Sequence, residues 1–259
     1  MTTASSPSID FTPRPGAAPR SRQVLAHALT EATLLVRNGE QLLLALVIPV
    51  GILVAGRLLD GRLGLHEENI APSVFSLAVF STCFTSLAIA TGFERRYGVL
   101  ERLAATPLGR GGLLAGKALA IILIALGQLV VLAAVALTLG WRPHPSAAQW
   151  LVAVLGVPLA MLTFANLALA MAGRLRAEAT LGLANLVYLV GLAAGGIMWP
   201  VSAYPASVRW LVRALPTGAL GEVSRAWSAG GTTWWALGVL VVWAVASALL
   251  ARKVFRWMS

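Results

Sequence analysis

Six stretches of about 20 predominantly apolar residues recur along this chain, and that recurrence limits its fold more than any motif does. They run near Gln41 to Leu59, Asn69 to Phe93, Ala118 to Gly140, Trp150 to Gly173, Ala179 to Trp199 and Thr232 to Ala251. In hydrocarbon every backbone N–H and C=O must find its partner within the protein, so stretches of this length read as helices that cross a bilayer. The expected fold is an all-α integral membrane protein with six transmembrane helices. Pro49, Gly51 and Arg57 interrupt the first stretch, but Arg57 can snorkel from a helix end toward water and the span stands. Composition agrees: 58% of the 259 residues are hydrophobic and 12% charged, against about 25% charged in a soluble domain.

A net charge of +10 raises nucleic acid as a partner, yet the basic residues are scattered between apolar runs and form no single predicted face. They read as topology signal, and no nucleic acid is expected. Fourteen fall on one side of the membrane: Arg14, Arg20, Arg22, Arg37, Arg95, Arg96, Arg102, Arg110, Lys117, Arg174, Arg176, Arg252, Lys253 and Arg256. Opposite them are six, Arg57, Arg62, Arg142, Arg209, Arg213 and Arg225. Basic loops stay inside, so both termini are expected in the cytoplasm. Residues 1–20, rich in Ser, Thr and Pro without a signal-type apolar core, are expected to be a disordered cytoplasmic tail. Residues 21–40 suit an amphipathic helix in the membrane interface, with Val24, Leu25, Ala28, Leu29, Ala32, Leu35 and Val36 opposed by His27, Thr30, Glu31, Arg37 and Asn38. Residues 41–259 form the six-helix domain. One cysteine, Cys83, lies in an apolar run and can build neither a disulfide nor a thiolate metal site within one chain.

The longest charged interruption, residues 94–117 between the second and third apolar stretches, is the candidate site. Val99, Leu100, Leu103 and Ala104 fall on one helical face, while Glu94, Arg95, Glu101 and Arg102 lie mostly on the other, and Pro107 stops the helix. Glu94, Gly98, Leu100, Glu101, Leu103, Thr106, Pro107, Gly116 and Lys117 resemble the loop between the second and third spans of type-2 ABC exporter permeases. Arg96 and Gly109 depart from that pattern, standing where an acid and a serine are frequent. The resemblance implies a coupling helix seated in a groove of a separately encoded ATPase, two ATPases per complex, with Glu94, Arg95, Arg96, Gly98, Leu100, Glu101, Arg102, Leu103, Thr106 and Pro107 at the contact. It also implies an elbow helix ahead of the first span, ATP and magnesium in the partner and no cofactor in this chain. It further implies a homodimer or a heterodimer with a related permease, surrounded by lipid in a bacterial plasma membrane.

Between the last two spans, residues 200–231 are too long and too apolar for a simple loop and read as two short helices separated by Pro216, with Thr217 as N-cap of the second. They are expected to be re-entrant or interfacial. The resemblance makes Pro200, Tyr204, Pro205 and Pro216 an outer gate. Trp199, Tyr204, Trp210, Trp227, Trp234 and Trp235 would form an aromatic belt at the outer interface.

Other chemistry is scarce. Gly111, Gly116 and Lys117 satisfy most of a phosphate-loop pattern, but Ala118 replaces the hydroxyl that would hold magnesium, and no strand precedes it. Lys117 reads instead as an interfacial basic anchor. No Gly-x-Ser-x-Gly, no His-Glu-x-x-His and no acidic pair lies in a span, so an enzyme is not expected. Ionisable residues are likewise missing at mid-membrane, which disfavours an ion-coupled carrier and makes energy arrive from outside the bilayer. Gln128, Asn166 and Asn185 are the polar span residues of interest, either interhelical hydrogen-bond partners or groups lining a substrate path. The fifth stretch carries Gly182, Gly191, Gly195 and Gly196, small residues suited to close helix contact. For substrate, the resemblance points to an amphipathic drug-like or lipid-like compound moved outward, with a polysaccharide or lipid-linked glycan as the alternative. A membrane scaffold or transferase is the rival outside transport.

Overall fold

Apolar residues along the long segments can be shielded only if the segments coil into helices and pack on one another, and the computed structural model has that form. It describes residue 16 and residues 18–58, 67–231 and 233–255. Almost all of the expected tail lies outside the described residues, as do Arg62, His66 and Arg256. Helix α1 (Arg20–Arg37) is separated only by Asn38 from α2 (Gly39–Leu58). Helix α3 (Glu67–Phe80), a π-helical stretch Ser81–Ser86 and α4 (Leu87–Arg96) follow one another without a break. Next come α5 (Val99–Ala104), α6 (Gly109–Thr138), α7 (Ala147–Ala172) and α8 (Ala177–Ala194). A 3-10 turn at Val201–Ala203 leads into α9 (Ala206–Ala214), α10 (Pro216–Ala229) and α11 (Trp234–Val254).

Five of these segments are long and apolar enough to cross a membrane: Ile70–Arg96, Gly109–Thr138, Ala147–Ala172, Ala177–Ala194 and Trp234–Val254. The first predicted span falls on α2, within which Ala45–Leu58 is a shorter apolar helix. The core is built where the second, third, fourth and last apolar segments meet α10, around Leu77, Phe80, Leu113, Phe164, Leu220 and Leu240. Phe80 is its aromatic centre, with ring centroids 4.9 Å from Phe164 and 6.2 Å from Tyr188. Helix α7 packs along α11, and α1 lies along α6.

Several boundaries differ from the sequence reading, each for a local reason. The stretch Gly109 to Lys117, read as part of a loop, is the first two turns of α6. Helix α7 begins ahead of Trp150 because Ser146 and Gln149 form a capping box, Gln149 N–H donating to Ser146 Oγ at 3.4 Å and Ser146 N–H to Gln149 Oε1 at 2.6 Å. The fifth span stops at Ala194, not Trp199. Beyond it the carbonyls of Gly196 and Ile197 accept from the Arg225 guanidinium at 2.7 and 2.9 Å, a partner that replaces a continuing helical ladder. Thr217 is not an N-cap: Leu215 holds that position and Pro216 opens α10, where its missing N–H costs nothing.

Candidate functional site

The end of the bundle where α4 gives way to α6 gathers most of the charged residues singled out above. After Arg96 the chain reverses through Tyr97 and Gly98, the latter at φ 69, a left-handed conformation that glycine adopts without strain. Helix α5 then runs six residues and ends three short of Pro107, because the residue before a proline avoids the helical region. Leu100 is fully buried and pins α5 to the core, with Leu103 and Ala104 packed beside it. Arg96, Tyr97, Val99, Glu101, Arg102, Thr106 and Pro107 are exposed. The ten predicted contact residues therefore divide into an outward surface and an inward set that fixes it in place.

The inward set is electrostatic. Lys117 is 2% exposed, and its Nζ stands 2.6 Å from Glu94 Oε2 and 3.0 Å from Glu31 Oε2. One lysine thus ties α1, α4 and α6 together. Glu31 Oε1 in turn lies 3.7 Å from His27 Nε2. Burial pulls the His27 imidazole below its ordinary value, Lys117 pushing the same way and Glu31 opposing. Gly116 makes the close approach possible: a Cβ there would lie 2.4 Å from His27 Cδ2. The Gly116 and Lys117 pair thus has two jobs, room for α1 and a charge for the carboxylates.

These contacts overturn two expectations. Lys117 is not an interfacial anchor but a buried cation. Nor do His27 and Glu31 face water; they turn with Ala28 toward α6, where Lys117 supplies the partner of Glu31 and Glu31 that of His27, while Leu25 and Leu29 of the predicted apolar stripe are exposed.

Two further links leave the end of α4. Arg95 is buried and donates from Nη1 to Gly173 O at 2.7 Å and from Nη2 to Leu175 O at 2.5 Å, placing a positive charge on the carbonyl end of α7. Arg96 pairs with Glu178 of α8 at the surface. The α4 terminus is consequently joined to α1, α6, α7 and α8.

The polar span residues do not converge. Gln128 is buried, accepts from Thr82 Oγ1 at 2.6 Å and donates to Ala45 O at 2.7 Å, so both ends of its amide serve interhelical bonds. Thr82 lies in the π-helical stretch, a distortion that often accompanies function. Gln128 and Thr82 also border a cavity of about 330 Å³ shared with Ala45, Leu46 and Ile121. Asn166 is half-buried on α7 and Asn185 exposed on α8, and neither lines that cavity.

The outer segment is a hydrogen-bonded knot. Gly196 N–H donates to Tyr204 Oη at 3.2 Å, and Val201 N–H to Glu222 Oε1 at 2.9 Å. Arg225, buried, donates to Glu222 as well as to the two carbonyls beyond α8, and burial lowers its pKa despite the carboxylate. Pro200 precedes the 3-10 turn, Pro205 is the N-cap of α9 and Pro216 the first residue of α10. Arg225 and Glu222 were not singled out from sequence as site residues; their i, i+3 spacing in an otherwise apolar segment was the available signal.

The family model for the ABC-2 type transporter matches residues 22–227 of the chain. No curated protein matches it.

Proposed function

The chain belongs to the ABC-2 type transporter family, and from that premise we propose that it is the permease subunit of an ATP-driven exporter. Two copies, or one with a related permease, join two separately encoded ATPases, which carry the ATP and magnesium. Residues 94–107 receive the ATPase, and the substrate is an amphipathic drug-like or lipid-like compound moved outward across a bacterial plasma membrane. Both termini lie in the cytoplasm.

One observation carries this reading: an exposed surface formed by Tyr97 in the turn after α4 and by Glu101 and Arg102 on α5, backed by a buried lysine that ties the flanking helices into one body. A push on Glu101, Arg102 and Tyr97 cannot be absorbed by α5 alone, since Leu100 anchors it and the α4 terminus is fixed to α1, α6 and α7. The push is passed to the second and third spans, which tilt and open an outward or lateral path. Partly buried ion pairs suit that task, because breaking one leaves an uncompensated charge and costs about 3–5 kcal/mol.

The test is co-purification followed by turnover. The tagged chain should retain an ATPase with a complete phosphate loop, and the Glu101→Arg, Arg102→Glu double variant should release it or break the link between ATP turnover and export while still inserting. External labelling of Glu101→Cys in intact cells, or export by the chain without an ATPase, would overturn the proposal.

A further inference from the structure

Away from the candidate coupling site, two cavities of opposite chemistry share one aromatic wall. The first, about 470 Å³, lies among the end of α2, the α6–α7 connection and the end of α10, and is lined by Arg57, Trp141, Arg142, His144 and Ser228. The second, about 480 Å³, opens among α3, α6, α7 and α10, lined by Phe75, Val130, Ala133, Val154, Pro158 and Trp227 among others. Between them Trp141 meets Phe75 edge-on with ring centroids 5.2 Å apart and lies tilted against Trp227 at 5.6 Å, and its Nε1 donates to Ser228 Oγ at 2.8 Å. Trp150 meets Trp227 edge-on at 5.0 Å.

Tryptophan clusters of this kind settle at the headgroup level of a bilayer, which puts the basic cup on the water side of the wall and the apolar crevice on the hydrocarbon side. The charge in the cup is uncompensated at Arg142: its bonds run from Nη1 to the Leu137 and Trp141 carbonyls at 2.7 and 3.1 Å, with no carboxylate among the described residues. His144 adds an exposed imidazole. In the crevice, Pro158 lies inside the continuous helix α7 and has no N–H to give to the Val154 carbonyl, both residues lining the cavity.

We propose that the two cavities together hold one anionic phospholipid of the surrounding bilayer, its phosphate against Arg142 and His144 and an acyl chain in the crevice beneath Trp141 and Trp227. A zwitterionic lipid fits the crevice equally but forfeits the net attraction to the cup. The inference needs only that the chain spans a membrane and does not depend on how transport is powered.

The purified complex, exchanged into discs holding equal phosphatidylglycerol and phosphatidylcholine of the same chains, is read by native mass spectrometry of the lipid it retains. Wild type should favour phosphatidylglycerol by about fivefold, the factor one basic residue near an anionic surface supplies. Arg142→Gln, at an exposed position, should remove most of that preference while a lipid is still retained. Ala133→Trp should fill the crevice and abolish retention, with an unchanged melting profile as the check on folding. Glycerol phosphate, which has the headgroup charge without chains, should not displace the lipid. Equal retention of the two lipids by wild type, a preference that survives Arg142→Gln, retention that survives Ala133→Trp, or displacement by glycerol phosphate would each overturn the proposal, whatever the ATPase experiments show.

Discussion

Lys117 faces two carboxyl groups at 2.6 and 3.0 Å, so the cluster it centres is short of one positive charge unless one of those groups keeps its proton or His27 takes one. Burial opposes protonation of His27. Two outcomes follow at this scale. Lys117→Met should lower stability by about 3–5 kcal/mol, because both carboxylates lose their counter-charge. Adding Glu31→Gln and Glu94→Gln should restore the melting temperature without restoring coupled export. The second outcome concerns acid. A folded-state pKa below 6.5 means that, as the solution is acidified past that value, the unfolded chain takes a proton the folded chain refuses. Stability is therefore lost as pH falls below 6.5, and His27→Gln should flatten that slope in thermal unfolding measured between about pH 7 and 5. None of this was legible from sequence. Periodicity puts His27 and Glu31 on the polar side of an amphipathic helix; it shows which residues share a face but not that a lysine 86 positions beyond Glu31 pairs with it.

Helix α5 is marginal by itself. Six residues fall well short of the length at which an isolated helix holds in water, so its order comes from Leu100 and from the turns at either end. Leu100→Ala should cost about 2–5 kcal/mol of local stability, and limited trypsin digestion should then cut faster after Arg102. At this scale the sequence was a good guide. Amphipathic spacing and Pro107 located α5, and apolar length located the five long segments. What escaped it were ends set by distant partners: the stop at Ala194 imposed by Arg225, and the capping box ahead of α7, which Ser146 and Gln149 do spell out locally. The glycines of the fifth span also had an unforeseen partner. A Cβ on Gly191 would lie 2.6 Å from Phe80 Cε1, so this glycine serves contact within the chain, whereas Gly182 faces open space.

Considered as a whole, the molecule leaves one spanning helix thinly covered. The most apolar window of α8 is 22% buried, the lowest share of the five, and Leu186, Leu189 and Val190 on it are each 57% exposed. A second permease seated on that face would complete it. Leu186→Cys should then cross-link to a second copy in membranes, or to a related permease co-expressed with it, whereas Val242→Cys on α11 should not. Fold class was readable from apolar length, and charge placement marked out residues 94–117; the division of that stretch into an exposed surface and a buried anchor was not, because it depends on which helices meet.

The lysine that joins three helices also sets an order of manufacture. Glu31 and Glu94 leave the ribosome before Lys117 does, so two acids wait at the membrane surface until the third span is delivered. A nascent chain halted ahead of that residue lacks the cation that Glu31 and Glu94 share and the contact that ties the first helix to the third span. The link between the first helix and the end of α4 can therefore close only once the start of α6 has been made.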